Sequence, residues 1–419
     1  MLRVGLTGGI ACGKSHVLRR LAAHGLATAD LDSVAHELMA PGGATYGEIV
    51  AAFGREILGE DGAIDRRALG ELVFADAAAR ARLDAIVHPR VRQSEEHLVA
   101  ALAAEGRSVI VSDAALLVEV GIHLRFDRLV VVHCDEADQR RRLMERDGLG
   151  EAAARARIEA QMPVREKRLF GHYRIDTSGT VPETEARADA LASELLALAG
   201  RPRERLTLPA DRARAALVHG EPGPRGLDAR SLLESVVEAD GVEMQRLAGR
   251  LAAAVPGPWY RQARGGESAP WPEALACAVA VIAAARGFAD AEWVAAVASS
   301  LARLTHPDPE AVAGGVAAAL AALAVSRSGR IEPGLPSRLS EWARAGERWS
   351  GAAPPPRLAA GIRAAVRHPV APQAARAEAA ASGAEPALAG GLVGLAVGLP
   401  AGPAPPGLAE LVARLGFSE

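Results

Sequence analysis

The run Leu2-Arg-Val-Gly-Leu-Thr-Gly8-Gly-Ile-Ala-Cys-Gly13-Lys14-Ser15 constrains this chain more than any other stretch. It reads as a short strand, a turn of the form GxxxxGK[ST] and the start of a helix. Glycines let the backbone curl so that successive N–H groups point inward at an anion. The helix opening near Lys14 adds the positive end of its dipole. Gly8, Gly9, Ala11, Cys12, Gly13, Lys14, Ser15 and His16 form the candidate phosphate cradle. Within it Lys14 can reach the β- and γ-phosphates of ATP, and the Ser15 hydroxyl is the candidate Mg²⁺ ligand. A chance glycine-rich turn would lack the strand before it and the helix after it.

Composition sharpens the reading of Lys14. Only two of the 48 basic residues are lysines, Lys14 and Lys167, and the chain has no asparagine. Arginine stands wherever a plain positive charge is enough. A lysine kept against that bias marks a position that needs a slim, flexible point charge instead of a planar fork.

With 419 residues the chain is long enough for two domains. Four prolines precede Gly200 and 22 follow it, which places a boundary near Gly200–Pro209. The expected organisation is a domain over 1–200, a linker over 201–208 and a second domain over 209–419. The first alternates β runs with helical patterns, the sign of a parallel α/β sheet. Its strand candidates are Leu2–Thr7, Leu26–Ala29, Ser108–Ser112, Leu129–His133 and Tyr173–Asp176. The stretch 45–105 reads as helical, with Pro89 as its main interruption. The second domain is Ala-rich with a 3.6-residue period and reads as all-α. Its helix candidates are Leu232–Val255, Trp271–Arg286, Asp290–Leu304 and Pro309–Val325.

Asp30-Leu31-Asp32 follows the second strand candidate, at the carboxyl edge where open α/β sheets place ligands. Two carboxylates spaced i, i+2 could divide labour, one near the metal and one taking a proton from an acceptor hydroxyl. They could equally be a helix N-cap before Ser33–Leu38. Spacing alone leaves the two open.

At this point the first domain resembles the dephospho-coenzyme A kinases. Gly5-Leu-Thr-Gly8-Gly-Ile10 runs into the P-loop, and Asp30-x-Asp32 follows strand two. Then come, in order, Phe53-Gly54, Asp61-Gly62-Ala-Ile-Asp65-Arg66, Val73-Phe74, His88-Pro89, Leu116-Leu117-x-Glu119 and Phe126-Asp127. The series closes with Gln139-x-x-Arg142-x-x-x-Arg146-Asp147, Arg157-Ile158-x-x-Gln161 and Ile175-Asp176-x-Ser178-Gly179. The resemblance implies a P-loop kinase sheet with helical acceptor and lid regions. It implies transfer of the ATP γ-phosphoryl group to the ribose 3′-hydroxyl of dephospho-coenzyme A. Asp32 would then be the catalytic base, with Asp30, counted among the substrate-binding residues, as its helper near the metal. His88, Leu116, Leu117 and Glu119 would face the acceptor. Arg142 and Arg146, spaced i, i+4 on one helix face, would be lid arginines closing on the phosphates beside Lys14. The chain departs from the family pattern at Ala11, Cys12, His16, Ala115 and Thr177. The cradle at Ala11 survives these changes if its φ stays negative.

The second domain resembles ADP-ribosylglycohydrolases in Leu301-Ala-Arg-Leu-Thr305-His306-Pro-Asp308 and in the glycine-rich stretch Gly383–Pro400. That family's two metals need clustered aspartates. Here the late position reads Gly383-Ala-Glu385-Pro386, and no Asp-Asp-Thr occurs. The expectation is a helical fold kept without its hydrolysis. The rival readings are a bifunctional kinase and ADP-ribosyl hydrolase, separable by metal stoichiometry, and a non-enzymatic nucleotide sensor, separable by turnover.

A net charge of −3 with no basic run argues against nucleic acid. Cys12, Cys134 and Cys277 form no CxxC pair and suit a reducing cytoplasm. No signal peptide opens the chain, because its first apolar run is short and broken by glycines. The stretch from Pro386 to Ala409 carries too many breakers for a membrane span. A fragment 1–200 is expected to hold the whole kinase, and nothing in the sequence sets the oligomeric state.

Overall fold

The computed structural model describes residues 1–202, 206–219, 272–287, 290–306, 308–398, 408–415 and 417. The helix expected at Leu232–Val255 lies outside them. The chain divides into two compact units: Met1–Leu117 with Phe126–Arg168 and Tyr173–Arg201, and Val118–Arg125 with Leu169–His172 and Pro202–Glu419. Two short stretches of the kinase-like segment therefore belong to the second unit. A cut at 201–208 would part them from the helices they join.

The first unit is built on five parallel strands in the order β2-β3-β1-β4-β5. They span Leu2–Gly8 (β1), Ala27–Asp30 (β2), Val109–Asp113 (β3), Arg128–His133 (β4) and Tyr173–Asp176 (β5). Every strand expected from the sequence is present, with ends shifted by at most one residue. Helices cover both faces, so the central strands are apolar throughout instead of alternating. Val4, Leu6, Val111, Val130 and Val132 pack with Val17 and Leu21 of α1 (Lys14–Ala23) and with Leu191 and Leu195 of a helix spanning Val181–Ala199. The last helix opens on a capping box, Thr180 with Glu183.

Between β2 and β3 the chain forms α2 (Leu31–Met39), α3 (Tyr46–Phe53), α4 (Arg66–Ala75) and α5 (Ala77–Ala104) around a core that includes Ile49, Phe53, Ile57 and Leu69. Pro89 does not interrupt α5, contrary to the sequence reading. The helix runs on through it, and only the bond to the carbonyl four residues back is lost. α5 also anchors the sheet: Glu95 accepts from Ser112 Oγ at 2.6 Å and from Arg3 Nη2 at 3.0 Å. Three helices follow β4, α6 (Glu136–Asp147), α7 (Glu151–Glu159) and α8 (Val164–Lys167), before β5; the capping-box helix is α9.

All regular elements described in the second unit are helical. They are α10 (Ala210–His219), α11 (Ala276–Ala285), α12 (Ala291–Thr305), α13 (Pro309–Ser328), α14 (Leu339–Ser350), α15 (Arg357–Arg367), α16 (Pro372–Ala381), α17 (Pro386–Val397) and α18 (Leu408–Arg414), with short 3₁₀ turns. α13 packs against α11, α12 and α14. Among the described residues it is the one helix long and apolar enough to cross a bilayer, and 83% of its apolar window is buried inside the protein. That is how the central helix of a helical unit reads. Small residues let neighbouring helices close on it. A Cβ on Gly346 of α14 would meet Ala313 O at 2.7 Å, and one on Gly394 of α17 would meet Ala215 O of α10 at 2.6 Å.

Glu273 is 1% exposed and ion-paired to Arg357 Nη2 at 3.2 Å. Burial pushes its pKa up from 4.5 to about 7, opposed by the Arg357 guanidinium and reinforced by Glu385. A carboxyl with a raised folded pKa holds its proton more tightly folded than unfolded. Its contribution is complete below the ordinary value of 4.5 and is lost as pH rises through about 7. From about pH 5 to about pH 8 the denaturation midpoint of the wild type should therefore fall relative to that of Glu273→Gln, whose amide does not titrate. Parallel curves across that window would remove Glu273 from the pH response.

Candidate functional site

The site lies at the carboxyl edge of the sheet, where β1, β2 and β3 end. β1 feeds the loop from Gly8 to Lys14. A Cβ on Gly8 would meet Val132 O at 2.4 Å, so only glycine lets β1 run this close to β4 there. Gly13 has φ 80° and hands the chain to α1. Ala11 has φ 59°, and it is the one non-glycine with positive φ among the described residues. The sequence condition of a negative φ is not met. The curl is kept instead at a steric cost of about 1 kcal/mol or more.

Side chains from later in the chain hold this loop. Ile10 N–H donates to Gln161 Oε1 at 2.9 Å, and Gln139 Nε2 donates to Ile10 O at 2.9 Å. Thr177 Oγ1 donates to Cys12 O at 2.9 Å. Lys167 Nζ, wholly buried, donates to Gly8 O at 3.3 Å and to Ala115 O at 3.0 Å. Both lysines of the chain therefore belong to the site. The lysine economy that singled out Lys14 applies equally to Lys167, which sequence reasoning left without a role. Gln139, Gln161 and Thr177 were seen only as motif letters. Under the loop Cys12 Sγ lies 3.3 Å from Cys134 Sγ, and both thiols are buried.

Lys14 Nζ donates to Asp113, the last residue of β3 and 4% exposed. Burial pushes the Asp113 carboxyl up; Lys14 opposes this, and Asp30 and Asp32 push further up. Asp113 escaped the sequence reading, which ended that strand at Ser112. The signal was a carboxylate closing an otherwise apolar run. In register Asp113 pairs with Asp30 on one side and Leu6 on the other, so it sits between the P-loop strand and the Asp30–Asp32 turn.

Asp30 is the N-cap of α2, accepting from Ser33 N at 3.0 Å and Ser33 Oγ at 2.7 Å. Burial alone would raise its pKa, but those bonds and the Lys14 charge hold it below the ordinary value. The N-cap reading therefore applies to Asp30. It does not apply to Asp32, whose exposed carboxylate accepts the Ala115 N–H at 3.2 Å.

Other candidates fall differently. Leu117 is buried core, packed with Phe126 over Gly5, so of the two leucines only Leu116 keeps side-chain surface. Glu119 is buried within the second unit. His88 is exposed on α5, 3.5 Å from Asp84. Ser15 is exposed on the first turn of α1, and His16 lies 3.4 Å from Glu185. Arg142 and Arg146 do not share a partner. Arg142 donates to Thr177 Oγ1 at 3.1 Å and Thr177 O at 2.6 Å, while Arg146 pairs with Asp147, which also takes Arg157.

Among the described residues no three His, Cys, Asp or Glu side chains converge as a metal cluster. Mg²⁺ at a P-loop asks for less: one or two protein oxygens, with phosphates and water completing the shell. The exposed Ser15 hydroxyl on the first turn of α1, just after the lysine, is a hard oxygen that fits this need.

A parallel sheet with a glycine-rich loop, a lysine and a cluster of carboxylates at its carboxyl edge defines a P-loop phosphotransferase. The family model described as dephospho-CoA kinase matches residues 2–183. The dephospho-CoA kinase of Geobacter sulfurreducens is 48% identical over 188 residues, 45% of this chain and 95% of that protein. Those of Anaeromyxobacter dehalogenans and Thermobifida fusca are 44% and 45% identical, covering 47% and 46% of this chain and 94% and 96% of theirs. Through this segment the chain belongs to the dephospho-CoA kinase family.

Ala11 is the point at which the loop is strained. Ala11→Gly should raise the denaturation midpoint of the kinase segment, with a net gain of about 1 kcal/mol after the extra entropy of glycine in the unfolded chain. A loss of stability would show that the alanine methyl makes contacts worth more than the strain.

Proposed function

We infer that the chain transfers the γ-phosphoryl group of ATP to the ribose 3′-hydroxyl of dephospho-coenzyme A, giving coenzyme A and ADP, the final step of coenzyme A biosynthesis. The bond from the 3′-oxygen to Pγ forms as the β–γ bridging bond breaks, and the hydroxyl proton passes to Asp32. The observation that supports this reading is the Asp32 carboxylate at the carboxyl edge of the sheet, exposed and accepting the Ala115 N–H. Asp30, tied up as a cap, helps by fixing the turn that presents Asp32.

Lys14 would leave Asp113 for the β- and γ-phosphates, where its charge follows the negative charge developing in the transition state. Mg²⁺, held by Ser15 and the phosphates, would neutralise the same oxygens. Arg142, bonded to Thr177, which in turn bonds Cys12 O of the loop, would meet the nucleotide. Arg146 would have to exchange Asp147 for phosphate as a lid closes. Leu116 is the acceptor-side residue this reading favours. ATP use and the free thiols Cys12, Cys134 and Cys277 support a cytoplasmic setting.

For 209–419 the proposal is a helical domain of ADP-ribosylglycohydrolase type that hydrolyses nothing. Its support lies in where the carboxylates go. Asp290, Asp308 and Glu385 each cap a helix, and Glu273 is paired with Arg357. Carboxylates used as caps and ion pairs are not collected round a metal.

Lys14→Ala should weaken ATP binding and rate together. Asp32→Asn should leave ATP binding near normal while turnover falls by about 10²–10⁴-fold, the usual worth of a positioned base. Calorimetric ATP titration beside steady-state assay separates the two, and near-normal turnover by Asp32→Asn would reject the base assignment.

A further inference from the structure

The second unit contains two pieces of the kinase-family segment, Val118–Arg125 and Leu169–His172, and it holds both with unusual care. His123, 3% exposed, has Nε2 3.1 Å from Ser300 Oγ of α12, and its ring meets Phe170 edge-on at 5.4 Å. The Leu124 carbonyl accepts from Trp293 Nε1 at 3.1 Å and from Arg286 Nη1 at 3.5 Å, and the Arg286 guanidinium stacks 4.2 Å over the Trp293 ring. Arg303 lies 5.6 Å over the ring of Phe170, and His172 meets Trp349 edge-on at 5.3 Å.

In sequence, each piece adjoins a residue of the kinase site. Ala115, three positions before Val118, gives its N–H to Asp32 and its carbonyl to Thr7 Oγ1 and Lys167 Nζ. Lys167, two positions before Leu169, also donates to Gly8 O of the P-loop. The same two chain segments are thus joined twice: in the first unit by Lys167 and Ala115, in the second by His123 and Phe170.

We propose that the helical unit positions the acceptor side of the kinase site, with Trp293 and Ser300 as positioning residues. By fixing 118–125 and 169–172 they set the Ala115 amide that orients Asp32 and the Lys167 ammonium that ties Ala115 to Gly8. Their loss lets the Ala115 segment drift, and misplacement of a reacting group by about 1 Å can cost about 10²-fold. The inference rests on the reading of Asp32 as the base, and it makes the helical half part of the kinase instead of a passenger.

The test uses the full chain carrying Trp293→Phe, which keeps the ring and loses the N–H donor, together with Ser300→Ala. Turnover per KM for dephospho-coenzyme A should fall by about 10–10²-fold, while KM for ATP at saturating acceptor stays within about twofold. Restoring Ser300 should recover part of the loss. A rise in KM for ATP matching the fall toward dephospho-coenzyme A, or no fall in turnover at all, would overturn the proposal. Should the double variant unfold early, each single substitution reads the same split. Asp32→Asn, assayed beside it, separates the two readings. If Asp32→Asn is inactive and the Trp293 and Ser300 variants are normal, the positioning role alone fails. A near-normal Asp32→Asn removes the base on which it rests, and the proposal with it.

Discussion

The backbone from Gly8 to Lys14 keeps its shape because side chains from four distant places bond its peptide groups. Gln139 and Gln161 take the two sides of Ile10, Thr177 takes Cys12 O, and Lys167 takes Gly8 O. A curl that forces a left-handed alanine at position 11 is not one the segment would hold by itself. The bonds offset the strain. α6, the stretch before α8, the end of α8 and the segment after β5 each supply one of these side chains, so the loop is only as well formed as the unit around it.

The charge pattern of the site follows from its burial. Burial pushes the Asp113 carboxyl up, and the Lys14 ammonium bonded to it opposes that push. Asp30 and Asp32 add negative potential on the same edge, which a nucleotide-bound divalent cation would relieve. The lysines and the arginines do different work. Lys14 and Lys167 each place one ammonium in a narrow space, whereas Arg142 spans Thr177 Oγ1 and the carbonyl of the same residue as only a fork can.

The helical unit stands on other physics. Among its described residues alanine and glycine allow α10, α13, α14 and α17 to approach closely, round an interior that is mostly apolar. Against that apolar background the ring and hydrogen-bond contacts of His123, Leu124, Phe170 and His172 are conspicuous, because buried polar groups are tolerated only where partners satisfy them.

The local order of this protein was legible in its residues. Strand ends, the P-loop, the Asp30 cap and the helical character of the second half all follow from rules acting over a few positions: β runs, glycine spacing, side-chain capping and the 3.6-residue period. Pro89 misled because a long helix packed against α2 and α4 tolerates one missing hydrogen bond. What only the tertiary structure decided is which distant groups meet. Nothing local says that Lys167 lies under Gly8, that Gln161 bonds Ile10, or that Lys14 pairs with the last residue of β3. Nor does any local rule say that Val118–Arg125 and Leu169–His172 belong with helices more than a hundred residues onward. Those pairings depend on the order of strands in the sheet and on close packing of side chains, and both are set by the whole chain at once.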